Sequence, residues 1–203
     1  MVIDIPDVLL TAVLSIFLFL ALCAALVLVT VALRRPSAAV LGVAGGLVVL
    51  ALIVVAVLPR NVPSLFGAVL ALLGAALAVA GGNPVVRWVL SAADGGRTAE
   101  GPRGGILVEL MTNRGTTAAG PPAPQQEEIL RGGTTIGYLE RLAAALAIFA
   151  GFPAAIAVIV ALKGIGRFTE LATPAARERF IVGTLASLLW ACAVAGVVWL
   201  AIW

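Results

Sequence analysis

Leu142-Ala-Ala-Ala-Leu-Ala-Ile-Phe-Ala-Gly151-Phe-Pro153-Ala-Ala-Ile-Ala-Val-Ile-Val-Ala-Leu162 is the stretch whose reading decides the fold. Its 21 uncharged residues are enough for an α-helix to cross the hydrocarbon core of a bilayer. Gly151-Phe152-Pro153 interrupts it, where proline withholds an amide and glycine permits dihedrals closed to other residues. The basic residues weigh the two readings. A full crossing puts eight inside and five outside, with Lys163, Arg167, Arg177 and Arg179 crowded into one external loop. A fold-back at the break puts twelve inside and leaves only Arg60 outside, which obeys the positive-inside bias better. The expected fold is therefore an all-α polytopic membrane protein with four transmembrane helices plus a re-entrant helical hairpin. Five transmembrane helices are the alternative.

The composition of the chain around this stretch admits no soluble reading. Of 203 residues 62% are hydrophobic and 11% charged, with mean hydropathy +1.16. A soluble domain carries about 25% charged residues, and a water-facing surface cannot be built from fewer than half of those. The net charge of +3 falls in short blocks between apolar runs and suits lipid headgroups, not nucleic acid. No histidine is present, which removes histidine metal sites, bis-histidine haem ligation and histidine acid–base chemistry. Cys23 and Cys192 both sit in apolar runs and read as small buried hydrophobes. Arginine is used almost to the exclusion of lysine, alongside abundant alanine and glycine, as in a GC-rich bacterial genome.

The first run, Val8–Leu33, ends at Arg34-Arg35-Pro36 and is a span, not a cleaved signal. Acids before it and arginines after it predict an external N-terminus in a bacterial inner membrane. The second, Ala38–Leu58, carries Gly42 and Gly46 as a small-residue face for helix packing. The third, Ser64–Ala80, repeats the theme with Gly67 and Gly74, and Gly81-Gly82-Asn83-Pro84 is expected to end it. Residues 1–82 thus form an N-terminal three-helix region. Residues 83–135, rich in Gly, Pro, Thr and charge, read as a flexible cytoplasmic loop, with Gly115–Glu128 the first place a protease should cut. Within it, Ile106–Met111 reads as a short strand or an interfacial turn. Residues 136–203 make a C-terminal membrane region, and its last span, Phe180–Trp203, is anchored by Trp199 and Trp203.

One constellation stands out: Gly137-x-Leu139-Glu140-Arg141-Leu142, then Lys163-x-x-x-Arg167-Phe168, then Gly183-Thr184-Leu185-x-Ser187. The C-terminal third resembles uncharacterised small bacterial multi-pass membrane proteins that share this segment. Val182 and Ala186 fall at its variable places, and Phe152 stands where a polar residue is often found. The resemblance implies a membrane architecture and no activity. If the chain folds back at Gly151 and Pro153, Glu140 and Arg141 meet Lys163, Arg167 and Glu170, forming an ion-pair cluster that is structural or serves an anion or lipid headgroup. Hydroxyls within spans (Ser15, Thr30, Thr184, Ser187) are expected to bond the preceding helical turn.

No catalytic, metal or cofactor constellation is read from the chain, so an enzyme is not expected. The expected role is an accessory or structural subunit of an inner-membrane complex, acting through helix packing and a cytoplasmic docking loop. Its partners would be the lipid bilayer and a membrane protein or further copies of itself. A small homo-oligomeric channel or transporter is the alternative.

Overall fold

Antiparallel packing of two glycine-matched helices forms the spine of the molecule. The computed structural model describes residues 5–58, 60–94, 106–109, 126–129, 133–166 and 174–203. In chain order these form α1 (Ile5–Arg34), α2 (Ala38–Val57), α3 (Ser64–Asp94), β1 (Ile106–Glu109), β2 (Gln126–Ile129), α4 (Gly133–Phe149), α5 (Ala155–Gly166) and α6 (Pro174–Ile202). Four of them, α1, α2, α3 and α6, are long and apolar enough to cross a membrane.

The spine is α3 against α6, the most extensive helix contact. Gly67, Gly74 and Gly81 recur every seven residues, which keeps them within about 20° of one line along the helix. Large side chains of α6 fill the notches in reverse order. A Cβ at Gly67 would stand 3.0 Å from Ile202, one at Gly74 2.6 Å from Val198, and one at Gly81 would overlap the Trp190 indole. Lipid tails are as apolar as leucine, so such close van der Waals fit, and not expulsion from water, holds membrane helices together. Trp190 also donates its indole N–H to the Leu77 carbonyl at 3.1 Å.

α1 packs on α2 and α3, and α2 touches α6. Three links gather one end of the bundle. Arg60 pairs with Asp7 at 2.7 Å, Val62 donates its amide to the Ala201 carbonyl at 2.8 Å, and Asn61 reaches the Trp203 carbonyl at 3.3 Å. The start of α1, the α2–α3 turn and the end of α6 therefore share this Trp203 end. Arg34 and Arg35, the last turns of α3, the start of α4 and the start of α6 lie at the other. Exposed Trp88 on α3, and exposed Trp199 on α6 with Trp203 just past its end, mark the two ends.

The expected end of the third helix at Gly81–Pro84 is corrected: α3 runs through Pro84 to Asp94. Proline removes one backbone donor from a helix interior, which a membrane protein tolerates when neighbouring side chains re-satisfy the opened turn. Here Arg141 reaches into the same turn and donates to the Val79 carbonyl, one residue before the carbonyl that Pro84 leaves without its helical donor. In the segment read as a loop, β1 and β2 pair antiparallel with Ile106 opposite Ile129 and Glu109 opposite Gln126. Residues 110–125, which hold most of the expected cleavage region, lie outside the described residues.

α4 and α5 form a helical hairpin. Gly151 takes φ +69° at the bend, and the amides of Ala150, Gly151 and Phe152 turn back to the Leu146, Ile148 and Ala147 carbonyls. The legs differ in setting. α4 lies in the groove between α3 and α6, whereas α5 packs chiefly on α4 and buries no residue. The small-residue face of α3 receives α4, but residues 150–154 at the bend are exposed.

Candidate functional site

Arg141 is 2% exposed, the largest side chain so deeply buried among the described residues. Burying a guanidinium is tolerable only if its donors are met, and here its planar fork is met in three directions. Nε donates to the Val79 carbonyl at 3.0 Å, Nη1 to Ser187 Oγ at 2.9 Å and Nη2 to Asn83 Oδ1 at 2.8 Å. The Tyr138 ring lies beneath, 5.3 Å from the guanidinium carbon. Each of these three acceptors is neutral, so the direct contacts to the cation come from dipoles and a ring face.

The local sequence is shaped to admit this side chain. A Cβ at Gly82 would overlap the Arg141 guanidinium, and one at Gly137, a turn earlier on α4, would stand 3.3 Å from Nη1. Gly81-Gly82-Asn83-Pro84 is therefore a cradle. Gly81 admits Trp190, Gly82 admits Arg141, Asn83 supplies an acceptor, and Pro84 loosens the turn whose carbonyls the arginine approaches. Ser187, expected to bond its own helix, accepts from Arg141 instead. Thr184, a turn away, departs from the same expectation: its buried hydroxyl has no hydrogen-bond partner. Ser15 and Thr30 do bond the preceding turn, through the carbonyls of Thr11 and Val27.

One residue before Arg141, Glu140 points to the other side of α4 and pairs with Lys163 near the end of α5. Lys163 also lies over the Phe180 ring, 5.8 Å from its centroid. The pair ties the hairpin's two bases together at the Arg34 end. Phe149, at the end of α4, lies beside Gly74, which is ten residues into α3 from the Trp203 end. From Arg141 to Phe149 the helix rises about 12 Å at 1.5 Å per residue, against about 30 Å for a hydrocarbon core.

The three quoted motif segments thus converge in space, through Gly137, Glu140 and Arg141 on α4, Lys163 on α5 and Ser187 on α6. Arg167 and Glu170, the other expected members, lie outside the described residues. Gly67 and Gly74 contact α6, whereas a Cβ at Gly42 or Gly46 would meet nothing within 4 Å. Val79, Gly81, Gly82, Asn83 and Trp190 belong to the site or its support and were not anticipated; the paired glycines before Asn-Pro were their only signal.

Among the described residues the surface hollows include two with polar lining. One of about 550 Å³ lies between α1 and the start of α3, lined by Asp7, Thr11, Ser15, Pro63 and Phe66. Its hydroxyls donate to their own helix. The other, about 350 Å³, lies between the hairpin legs and includes Glu140 and Lys163. Among the described residues no group of three or more Cys, Asp and Glu side chains is placed to hold a metal ion. No family model, curated protein or solved structure matches this chain.

Proposed function

We propose that this chain is a non-catalytic packing subunit of a bacterial inner-membrane complex, built from four spans and a re-entrant hairpin that enters from the cytoplasmic side. The observation that carries the reading is how the interior charges are spent. Arg141 fastens α4 to α3 and α6, and Glu140 fastens α5 to α4 through Lys163. Charges that fasten one helix to another are not strung along a path for a solute, which favours a scaffold over the alternative of a homo-oligomeric channel. The open Gly42–Gly46 face of α2 supports a helix partner outside the chain.

The charge distribution supports the orientation. Arg60 is the only described basic residue at the Trp203 end, against Arg34, Arg35, Arg87, Lys163, Arg177 and Arg179 at the other. The positive-inside bias puts that second end in the cytoplasm and both termini outside. Trp88 and Ser64 are separated by about 36 Å along α3 at 1.5 Å per residue, a length that supports tryptophans of the two ends lying near opposite interfaces of a hydrocarbon core about 30 Å thick.

One membrane preparation tests both parts. In a background lacking Cys23 and Cys192, an impermeant thiol reagent applied from the periplasm should label Asn61→Cys and spare Ile165→Cys; labelling of both would replace the hairpin with a fifth span. Gentle detergent extraction of the same membranes should bring down a stoichiometric membrane partner. A homo-oligomer that conducts ions in liposomes would establish the channel instead.

A further inference from the structure

The slot between the hairpin legs has a definite polarity. Ile136, Leu139, Ala143, Ile159 and Leu162 wall it, while Glu140 and Lys163 sit together at its base, the end shared with Arg34 and Arg35. A void of about 350 Å³ open to a bilayer fills with the nearest apolar chain, and among the described residues nothing packed on α5 closes it, since that helix rests chiefly on α4. Its charged end then lies at headgroup depth. This inference rests on the membrane placement of the hairpin, but not on the existence of a protein partner.

The charges select among headgroups. A carboxylate accepts at up to four lone-pair positions and an ammonium donates three hydrogen bonds. The contact between Glu140 and Lys163 uses one of each, so the pair is satisfied at rest yet retains capacity toward the slot. Both side chains keep some access, 10% for Glu140 and 18% for Lys163. An anionic headgroup would gain from Lys163 and be opposed by Glu140 at the same distance. A zwitterion with a phosphate and a primary ammonium a few bonds apart answers both charges: its phosphate oxygens accept from Lys163, and its N–H groups donate to Glu140. A quaternary ammonium has no N–H to donate.

We propose that the α4–α5 slot is a binding site for one phospholipid with a primary-ammonium headgroup, its acyl chain lying along Leu139, Ala143 and Ile159 and its headgroup bridging Glu140 and Lys163. The lipid completes the hairpin by covering the α5 face that α4 leaves open.

Native mass spectrometry of the delipidated chain, titrated separately with phosphatidylethanolamine, phosphatidylcholine and phosphatidylglycerol, tests this. The ethanolamine lipid should bind one per chain and about tenfold more tightly than either other lipid, the scale of one charge-assisted hydrogen bond. Glu140→Gln should erase the preference over phosphatidylcholine. Because that change also weakens the hairpin, Ala143→Phe provides an independent arm: it fills the slot, leaves the ion pair in place and should abolish the selective site. Equal retention of all three lipids, a preference for phosphatidylglycerol, or an ethanolamine preference that survives Ala143→Phe would each overturn the proposal. A missing protein partner would not affect it, so its failure is distinguishable from failure of the subunit reading.

Discussion

The two legs of the hairpin share one apolar run, Leu142–Leu162, broken only at Gly151-Phe152-Pro153, yet the molecule treats them differently. α4 buries Gly137, Glu140, Arg141, Ala144, Ala145 and Ala147, while α5 buries nothing. Hydropathy cannot separate them, because α5 is if anything the more apolar leg. What distinguishes α4 is polarity placed on one face: an arginine that finds three neutral acceptors on two other helices. In a bilayer, where apolar contact between helices gains little over contact with lipid, a satisfied polar group decides which segment is fixed in place.

The sharpest attack on that contrast is Arg141→Met, which keeps length and apolar bulk but strands Asn83, Ser187 and the Val79 carbonyl. Unpaired buried groups cost about 1–3 kcal/mol each, partly offset by removing a buried charge. A net loss of about 3 kcal/mol in detergent unfolding is expected. Arg141→Lys should recover only part of it, since an ammonium cannot reproduce the fork. An Arg141→Met protein as stable as the parent would mean that α4 is held by shape alone.

Next in size is Gly82→Ala. One methyl group intrudes on the guanidinium, and overpacking of this kind costs about 1–3 kcal/mol. Gly46→Ala, on a face open within the chain, should leave the isolated protein unchanged in the same melt, whereas a bulkier Gly46→Leu should lower recovery of any complex. Equal losses for the two alanine variants would erase the distinction between the cradle and the open face.

The most local effect should come from Lys163→Met. The pair is largely buried, with side chains 18% and 10% exposed, so the change strands Glu140, but α5 is the only helix this pair ties to α4 and the loss should stay there. Amide hydrogen exchange should quicken along α5 while α4 keeps its protection. Faster exchange in α4 as well would show that the pair, and not Arg141, sets the hairpin.

The four long helices were legible because each needs only a run of apolar residues and a polar or proline break, and both signals are local. The meeting of Glu140 with Lys163 was legible too, once the fold-back at Gly151 and Pro153 was allowed. The arginine cradle was not. Val79 and Asn83 lie 62 and 58 residues before Arg141, and Ser187 lies 46 after it. No local periodicity joins positions so far apart. Gly81-Gly82-Asn83-Pro84 misled because glycine and proline end helices far more often than they make room for another helix's side chain. The glycines of α3 pointed correctly to close packing, but the same signal at Gly42 and Gly46 found no neighbour within the chain.

The cradle also imposes a timetable on synthesis. When α4 leaves the ribosome its arginine can already reach Val79 and Asn83, but Ser187 has yet to be made. The hairpin must therefore enter the bilayer with its charge only partly answered, or wait beside the insertion machinery until α6 follows. The last helix is then the latch of the structure, and a nascent chain halted before Ser187 would present an incompletely bonded arginine for quality control to recognise.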